Sequence, residues 1–240
     1  MKIIPLKEGN FSVNSQKEFV LLENAGISVG LKMAIQPFLI ITGQDYILLD
    51  AGIGWEENNT QKIFQKLAEA GIKPEQINKI LLSHLHKDHI SGLVNRTPGG
   101  MELNFPGAEI YLQEREYNFA LTKEGSPSYD LDILRFAAQY SQIVWMNENS
   151  GNLTDEITFE VTGGHSPFHQ VFWIKENNET AFYGADNLPQ STYFKYHLAY
   201  KSDYDGKKAL QDRIKWEKQA KEENWKILFY HDMEYPLLSL

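Results

Sequence analysis

His84, His86, Asp88 and His89 fall within six residues, in Leu82-Ser83-His84-Leu85-His86-Lys87-Asp88-His89-Ile90-Ser91-Gly92, directly after the apolar run Ile80-Leu81-Leu82. An H-x-H pair puts two imidazoles on one side of an extended segment, because side chains alternate along a strand. Asp88 and His89 then turn the chain and offer further ligands close by. Imidazole and carboxylate without thiolate suit zinc, manganese, iron or cobalt. The chain has seven histidines and no cysteine. With three of the seven behind an apolar run, a surface loop that merely happens to be His-rich is the poorer account.

The elements that must carry this cluster read as an α/β pattern. Gln36-Pro37-Phe38-Leu39-Ile40-Ile41 and Tyr46-Ile47-Leu48-Leu49 flank the turn Thr42-Gly43-Gln44-Asp45 and form a hairpin, which must stop and bend at Asp50 and Gly52. Residues 58–70 read as a helix with Asn59 or Thr60 as cap and Gly71 just beyond its end. Residues 79–83 follow as a strand that delivers the histidine loop, and ligand sites in α/β sheets gather at such strand ends. Further on, strands are expected at 108–112, 143–145, 157–162, 170–174, 180–184 and 226–230. Helices are expected at 114–121, 130–140 and 205–223, the last with Leu210, Ile214, Glu217 and Ala220 along one stripe. Both halves start with strands and continue into helix, as two βα layers facing each other would.

Three of these strands end on further candidates. His165 and His169 follow 157–162, Asp186 follows 180–184, and His231 follows 226–230. A single strand-end histidine is more often structural than a ligand. Four strand ends that all offer His or Asp are harder to explain that way.

The 240 residues fit one large domain or two small ones, and no linker, low-complexity tract or fixed-period repeat divides them, so one domain over 1–240 is expected. The formal charge is −9 with no basic cluster along the sequence, which argues against nucleic acid as a partner. The N-terminus lacks the apolar stretch of a signal peptide, and no window approaches the roughly 18 apolar residues of a membrane span. A cytoplasmic enzyme with a small-molecule substrate, and without membrane attachment, is the expectation.

Taken together, the clusters resemble the metallo-β-lactamase superfamily. The motif H-x-H-x-D-H stands at His84, His86, Asp88 and His89, and His165, Asp186 and His231 follow in the family's order. Asp50, in Leu49-Asp50-Ala51-Gly52, matches the family's early Asp motif, and the likeness runs from about residue 36 to 232. The resemblance implies a four-layer αββα sandwich with two divalent metal ions, zinc in the first place, with manganese or iron as alternatives. One ion would be held by His84, His86 and His165, the other by Asp88, His89 and His231, with Asp186 bridging. Asp50 would stand behind the ligands and orient the first motif. His169 would stand behind them or in the core, and His197 would take no part. The segment that usually reads T-P-G-H-T-P-G-H has Gly163 for its first Pro and Phe168 for its second Gly, and Phe168 is expected to reshape the nearby wall.

The chemistry implied is hydrolysis. A hydroxide shared by the metals would attack an acyl carbonyl or a phosphorus centre, with Asp88 orienting it and carrying protons. No serine nucleophile is needed, so Ser83 and Ser91 read as structural. Within the superfamily, the commonest β-lactamases use a Cys ligand, which this chain cannot supply, and flavodiiron enzymes carry Glu where His86 stands. Ribonuclease-like members want a basic surface. Glutathione-dependent members want basic residues in the C-terminal part, where only scattered Lys201, Lys207, Lys208 and Arg213 occur. The lactonase and esterase-like branch remains. Its lactonases often carry Tyr three residues after the bridging Asp, where this chain has Pro189, which argues against homoserine lactones as substrates; phosphotriesterase-like activity is the near neighbour. The expectation is a hydrolase acting on an ester, lactone, thioester or phosphoester, with an iron-dependent persulfide or thiol oxidoreductase as the alternative.

Residues 187–204, which leave Asp186 directly, carry Tyr193, Phe194, Tyr196, His197, Tyr200 and Tyr204. They are expected to wall the substrate site beside Phe168, with Tyr193 or Lys195 donating a hydrogen bond to the developing oxyanion. The plainer alternative is that these rings pack the segment onto the sandwich.

Overall fold

The computed structural model describes residues 1–25 and 30–240. Alternation along the apolar strands sets the architecture. Leu48, Ile80 and Ile110 point into one core, while their neighbours Ile47, Leu81 and Tyr111 point into another. Phe172, Ala181 and Leu228 join that second core, whereas their neighbours Val171, Phe182 and Ile227 point into a third. Two sheets buried on both faces therefore pack against each other, with helices outside. This is the four-layer αββα sandwich, made by period-2 patterning that flips sides at every residue.

The first sheet runs in the order Lys2–Pro5, Phe38–Ile41, Tyr46–Leu49, Lys79–Leu81, Glu109–Gln113, Ile143–Met146. The second runs Ser150–Asn152, Ile157–Val161, Gln170–Glu176, Glu179–Tyr183, Lys226–Leu228, Leu237–Ser239. Tyr46–Leu49, Lys79–Leu81 and Glu109–Gln113 pair in parallel, as do Glu179–Tyr183 and Lys226–Leu228. The loops that leave the C-terminal ends of these strands carry Asp50, the histidine motif, Asp186 and His231 to one edge of the sandwich.

Among the described residues six helices complete the layers. α1 (Lys62–Glu69), α3 (Glu114–Leu121) and α4 (Leu131–Ala137) cover the first sheet through Ile63, Leu67, Ala120, Ile133 and Leu134. α5 (Thr192–Tyr196) and α6 (Gly206–Glu223) cover the second through Phe194, Trp216 and Ala220. The short α2 (Lys87–Ile90) is the turn of the histidine motif itself. Trp216 is 1% exposed, and truncating such a residue costs about 3–5 kcal/mol. Among the described residues no helix is long and apolar enough to cross a membrane.

Three departures from the sequence expectations bear on the site and the layers around it. α1 starts at Lys62 rather than near residue 58, because Asn58 and Asn59 take left-handed φ of 53° and 60° and turn a small hairpin between Glu56–Glu57 and Thr60–Gln61. Asparagine tolerates that backbone better than most residues, so a cap reading competed with a turn reading and lost. Along α6 the buried face is Ala209, Arg213, Trp216 and Ala220, while Ile214 is 47% exposed. The expected stripe was displaced because a charged residue, Arg213, lies at the centre of the true one. Finally, the N-terminal region forms a three-stranded sheet of Phe19–Leu21, Gly9–Val13 and Leu31–Ile35, whose outer two strands both pair with Gly9–Val13. Of its strands, only Phe19–Leu21 lies in a short apolar run, Phe19-Val20-Leu21-Leu22, that the sequence alone marks as a strand.

Candidate metal centre

The histidine motif is held in place by backbone geometry that few residues permit. Asp50 sits at φ 53° and Ala185, just before Asp186, at φ 41°, left-handed conformations that cost roughly 1–2 kcal/mol each for residues with a Cβ. Ala51 N donates to His89 O at 2.7 Å, and Gly92 N donates to Gly52 O at 3.1 Å, so the Asp50 loop and the motif are zipped together. Gly92 is required for this approach, since a Cβ there would lie 2.0 Å from Ala51 O. Gly163 and Gly164, at φ 64° and 88°, make the sharp turn before His165. Proline cannot adopt the Gly163 backbone, which accounts physically for the departure from the T-P-G-H pattern.

Six ring and carboxylate groups converge around Asp186. Its Oδ2 lies 3.2 Å from His165 Nε2 and 4.0 Å from His84 Nε2. Its Oδ1 lies 3.1 Å from His89 Nε2 and 3.0 Å from His231 Nε2. His86 turns its Nδ1 inward, 3.0 Å from His84 Nε2 and 3.1 Å from His165 Nε2. Asp88 Oδ2 stands 3.8 Å from His89 Nε2 and 3.7 Å from His231 Nε2. The donors thus divide into two groups, each compact enough to hold one cation: His84, His86, His165 and Asp186, and then Asp88, His89 and His231.

The far nitrogens of four rings are pinned. Ser83 Oγ lies 3.1 Å from His84 Nδ1, and Asp50 Oδ2 lies 2.7 Å from His89 Nδ1. Asp203 Oδ1 lies 3.0 Å from His165 Nδ1, and Ala34 O accepts from His231 Nδ1 at 2.7 Å. Partners of this kind fix ring orientation and tautomer in metal sites. Asp50 itself accepts from Ser83 N at 2.7 Å, Ser83 Oγ at 2.6 Å and Tyr183 OH at 2.5 Å, so its charge is fully hydrogen-bonded behind the motif. Asn187 ties the two ligand loops together: its Oδ1 accepts from His165 N at 2.7 Å, and its Nδ2 donates to Thr162 Oγ1 and Gly163 O.

The electrostatics match a cation site. Burial, then the neighbouring histidines, hold His84 and His86 well below the usual pKa, so both present lone pairs. Burial opposes charge on His89 as well, but Asp186, Asp50 and Asp88 outweigh it and raise its pKa strongly. Burial also works against Asp186, yet His231, His89 and His165 keep it ionised. His89 Nε2 and Asp186 Oδ1 are buried without a hydrogen bond although they face each other. Two inward-facing donors left unsatisfied this way, in an all-imidazole and carboxylate set, fit divalent metal.

Other expected residues sit elsewhere. His169 is buried behind His84, their rings 5.1 Å apart, and belongs to neither donor group. His197 is paired with Glu217 at 2.6 Å on the outside of α6. A cavity of about 680 Å³ opens over the centre. His86, Asp88, His165, Asp186 and His231 line it, and so does Tyr193, but Phe168 and Lys195 do not. Phe168 is instead covered by the Arg115 guanidinium at 5.1 Å, and Lys195 is exposed with its Nζ over Tyr196. Phe194 packs edge-on to Phe229 in the outer core, so the aromatic segment is partly wall and partly packing. Sequence reasoning missed Asp203, Asn187 and Arg213. It also missed the opposite wall, built by Val13, Phe19, Leu31 and Met33 of the N-terminal sheet.

The sequence profile of the metallo-beta-lactamase superfamily matches residues 34–221. An N-acyl homoserine lactonase of Bacillus thuringiensis is 25% identical, the match covering 88% of this chain and 87% of that protein. A probable metal-dependent hydrolase from Staphylococcus aureus superposes with a TM-score of 0.80 at 20% identity, over 99% of this chain and 91% of that one. AidC, a dizinc quorum-quenching lactonase solved with a product, superposes with a TM-score of 0.69 at 25% identity, over 86% and 75% of the two chains. A shorter match, 32% identical over 33% of this chain and 26% of the other, is to the exodeoxyribonuclease WalJ of Streptococcus pneumoniae. The chain belongs to the metallo-β-lactamase superfamily. It is a metal-dependent hydrolase of that superfamily with lactonase-like relatives.

Proposed function

We propose that this hydrolase is dinuclear and cleaves a small ester, lactone, thioester or phosphoester. The observation that carries the reading is the placement of Asp186, whose two oxygens face two different donor groups. A carboxylate placed this way can reach an ion in each group at once. His84, His86 and His165 would hold one ion, Asp88, His89 and His231 the other, and Asp186 would bridge. The dizinc relative supports zinc. That all these residues converge across one continuous sandwich supports reading 1–240 as one domain.

When bound, the ions supply Lewis acidity to a carbonyl or phosphoryl oxygen and bring the pKa of a water toward neutral. The remaining work falls to side chains. Asp88 lines the cavity with its carboxylate beside His89 and His231, where it can take up a proton and return it to the leaving group. Tyr193 faces the same cavity, its ring stacked on Tyr200 at 4.5 Å. Burial, then Tyr200, push its pKa far up, so its hydroxyl remains a donor throughout the physiological range. That makes Tyr193, rather than Lys195, the donor toward a developing oxyanion. The apolar walls and the small volume favour a small molecule over a polynucleotide.

The test is metal analysis of purified protein together with a panel of lactones, thioesters and phosphotriesters assayed after metal reconstitution. Two metals per chain and oxygen-independent turnover are expected. One iron per chain with oxygen-dependent turnover would move the protein to the thiol oxidoreductase chemistry, and a single ion of any kind would end the dinuclear assignment.

A further inference from the structure

The walls of the cavity carry a charge pattern that the ligand set does not explain. Its acidic lining residues are Asp88, Asp186 and Asp203, and each is engaged at the donor groups, Asp203 through His165. Apart from these and the histidines, the charged side chains that line it are Lys17 and Lys123. They come from elements far apart in sequence: Lys17 from the turn joining Gly9–Val13 to Phe19–Leu21, Lys123 from just beyond α3. Lys17 lines the cavity on the same side as His86 and Asp88, with which it also shares a smaller neighbouring pocket. Lys87, on α2, shares a much smaller pocket with Lys17 and Phe19.

None of the three forms an ion pair among the described residues. Glu18, the carboxylate next to Lys17 in sequence, accepts from Asn14 Nδ2 at 2.6 Å. Lys123 is held instead by the face of Phe119, its Nζ 4.3 Å from the ring centre. The Lys17 position is also built rather than loose. Asn14 Oδ1 accepts from Gln16 N and Glu18 N, and Lys17 N donates to Asn14 O, which fixes Lys17 at a left-handed φ of 56°. A chain with nine more acidic than basic residues leaves unpaired cations facing one cavity.

Resting on the hydrolase reading above, we infer that the preferred substrate is anionic: an ester, lactone or thioester with an apolar body and a carboxylate or phosphate group carried away from the scissile bond. The body would lie against Val13, Leu31, Met33 and Phe119, and the anionic group would lie between Lys17 and Lys123. Cavities of a few hundred Å³ with apolar walls and few placed polar groups select ligands in this way. Lysine meets such a group as a point charge and not through a fixed fork, so carboxylate and phosphate are both admissible.

The experiment uses metal-loaded enzyme and matched aryl esters of equal chain length that end in methyl, carboxylate or phosphate. Calorimetric binding of the corresponding uncleavable amides is measured alongside. The inference expects at least a ten-fold higher kcat/KM for one or both anionic esters than for the methyl ester. That ratio should shrink as salt is raised, because screening weakens charge attraction. It should collapse in Lys17→Gln/Lys123→Gln and be restored in Lys17→Arg/Lys123→Arg, with the amide affinities following. The carboxylate and phosphate arms tell the two anions apart. A methyl ester cleaved as well as both anionic esters would overturn the inference while leaving the hydrolase reading intact. So would a preference unchanged in the Gln variant. An enzyme that cleaves none of the esters, and no other acyl or phosphoryl substrate, would count against the hydrolase reading itself.

Discussion

Asp203 Oδ1 lies 3.0 Å from His165 Nδ1, on the ring edge opposite the one that faces Asp186. The carboxylate thereby selects which nitrogen of His165 is free to point into the centre. Asp203→Asn keeps the shape but removes the charge, and weakening of metal affinity by about 10–100-fold is expected. Competition against a chelator measures it, with the melting temperature of the chelated protein as control. Unaltered affinity would mean that Asn187 and the glycine turn orient His165 by themselves.

Removing the shared carboxylate should act on both ions. Asp186→Ala is expected to take metal content from two toward zero per chain, whereas His169→Ala should keep both, because His169 lies behind His84 and contributes to neither donor group. Elemental analysis after dialysis decides. Loss of an ion from His169→Ala would show that the donor groups are drawn wrongly.

Gly92→Ala puts a methyl group 2.0 Å from the Ala51 carbonyl oxygen, against backbone that cannot swing aside. The expected loss is about 1–3 kcal/mol of stability, the usual range for overpacking, with metal affinity falling too because the Asp50 loop must shift from His89. Urea titration of chelated protein reads the first effect by itself. A midpoint within error of wild type would mean that the zipper between the two loops is slack.

Tyr193→Phe leaves the ring on Tyr200 and deletes only the hydroxyl. If that hydroxyl donates to the reacting oxygen, kcat/KM should fall by about 10²–10³ with metal content and melting temperature unchanged. Full activity would confine Tyr193 to packing.

Glu8 offers a pH test at a residue outside both donor groups, with Asp88 adding to the rise that burial causes. It is buried, and burial pushes its pKa up to about 8 against the N–H groups of Trp55, Ile53 and Gly54. In the unfolded chain the value returns to 4.5, so between 4.5 and about 8 the folded state holds a proton that the unfolded state has lost. This contribution to stability is complete below 4.5 and is lost as pH rises through about 8. Chelated wild-type protein should therefore lose stability from pH 5 to 8 relative to Glu8→Gln. Parallel pH profiles for the two proteins would show Glu8 already ionised at pH 5.

The donor residues were legible because their signal is local: H-x-H-x-D-H occupies six residues, and His165, Asp186 and His231 each follow an apolar run. The central strands were legible as short apolar runs, while the four-layer arrangement came from the family resemblance rather than from the runs themselves. What escaped is whatever depends on distant partners. Arg213 looks like one more solvent-facing charge on α6, yet it is buried, donating to the carbonyls of Asn187 and Leu198 under the ring of Tyr193. Asp203 carries no motif, and only folding brings it to His165. Lys17 and Lys123 are more than a hundred residues apart, so no scan for basic clusters along the chain could pair them.

Strand Leu31–Ile35 serves the centre and the cavity at once. Leu31 and Met33 lie two apart and face the cavity. Ala34, directly after Met33, clamps His231 through its own backbone, its carbonyl accepting from Nδ1 at 2.7 Å and its N–H donating to the His231 carbonyl at 3.2 Å. Whatever a guest molecule does to the side chains of this strand, its main chain passes on to an imidazole of the second donor group. Redesigning this wall for a new guest is therefore expected to change metal affinity as well, whereas changes confined to the Lys123 side are expected to leave it alone.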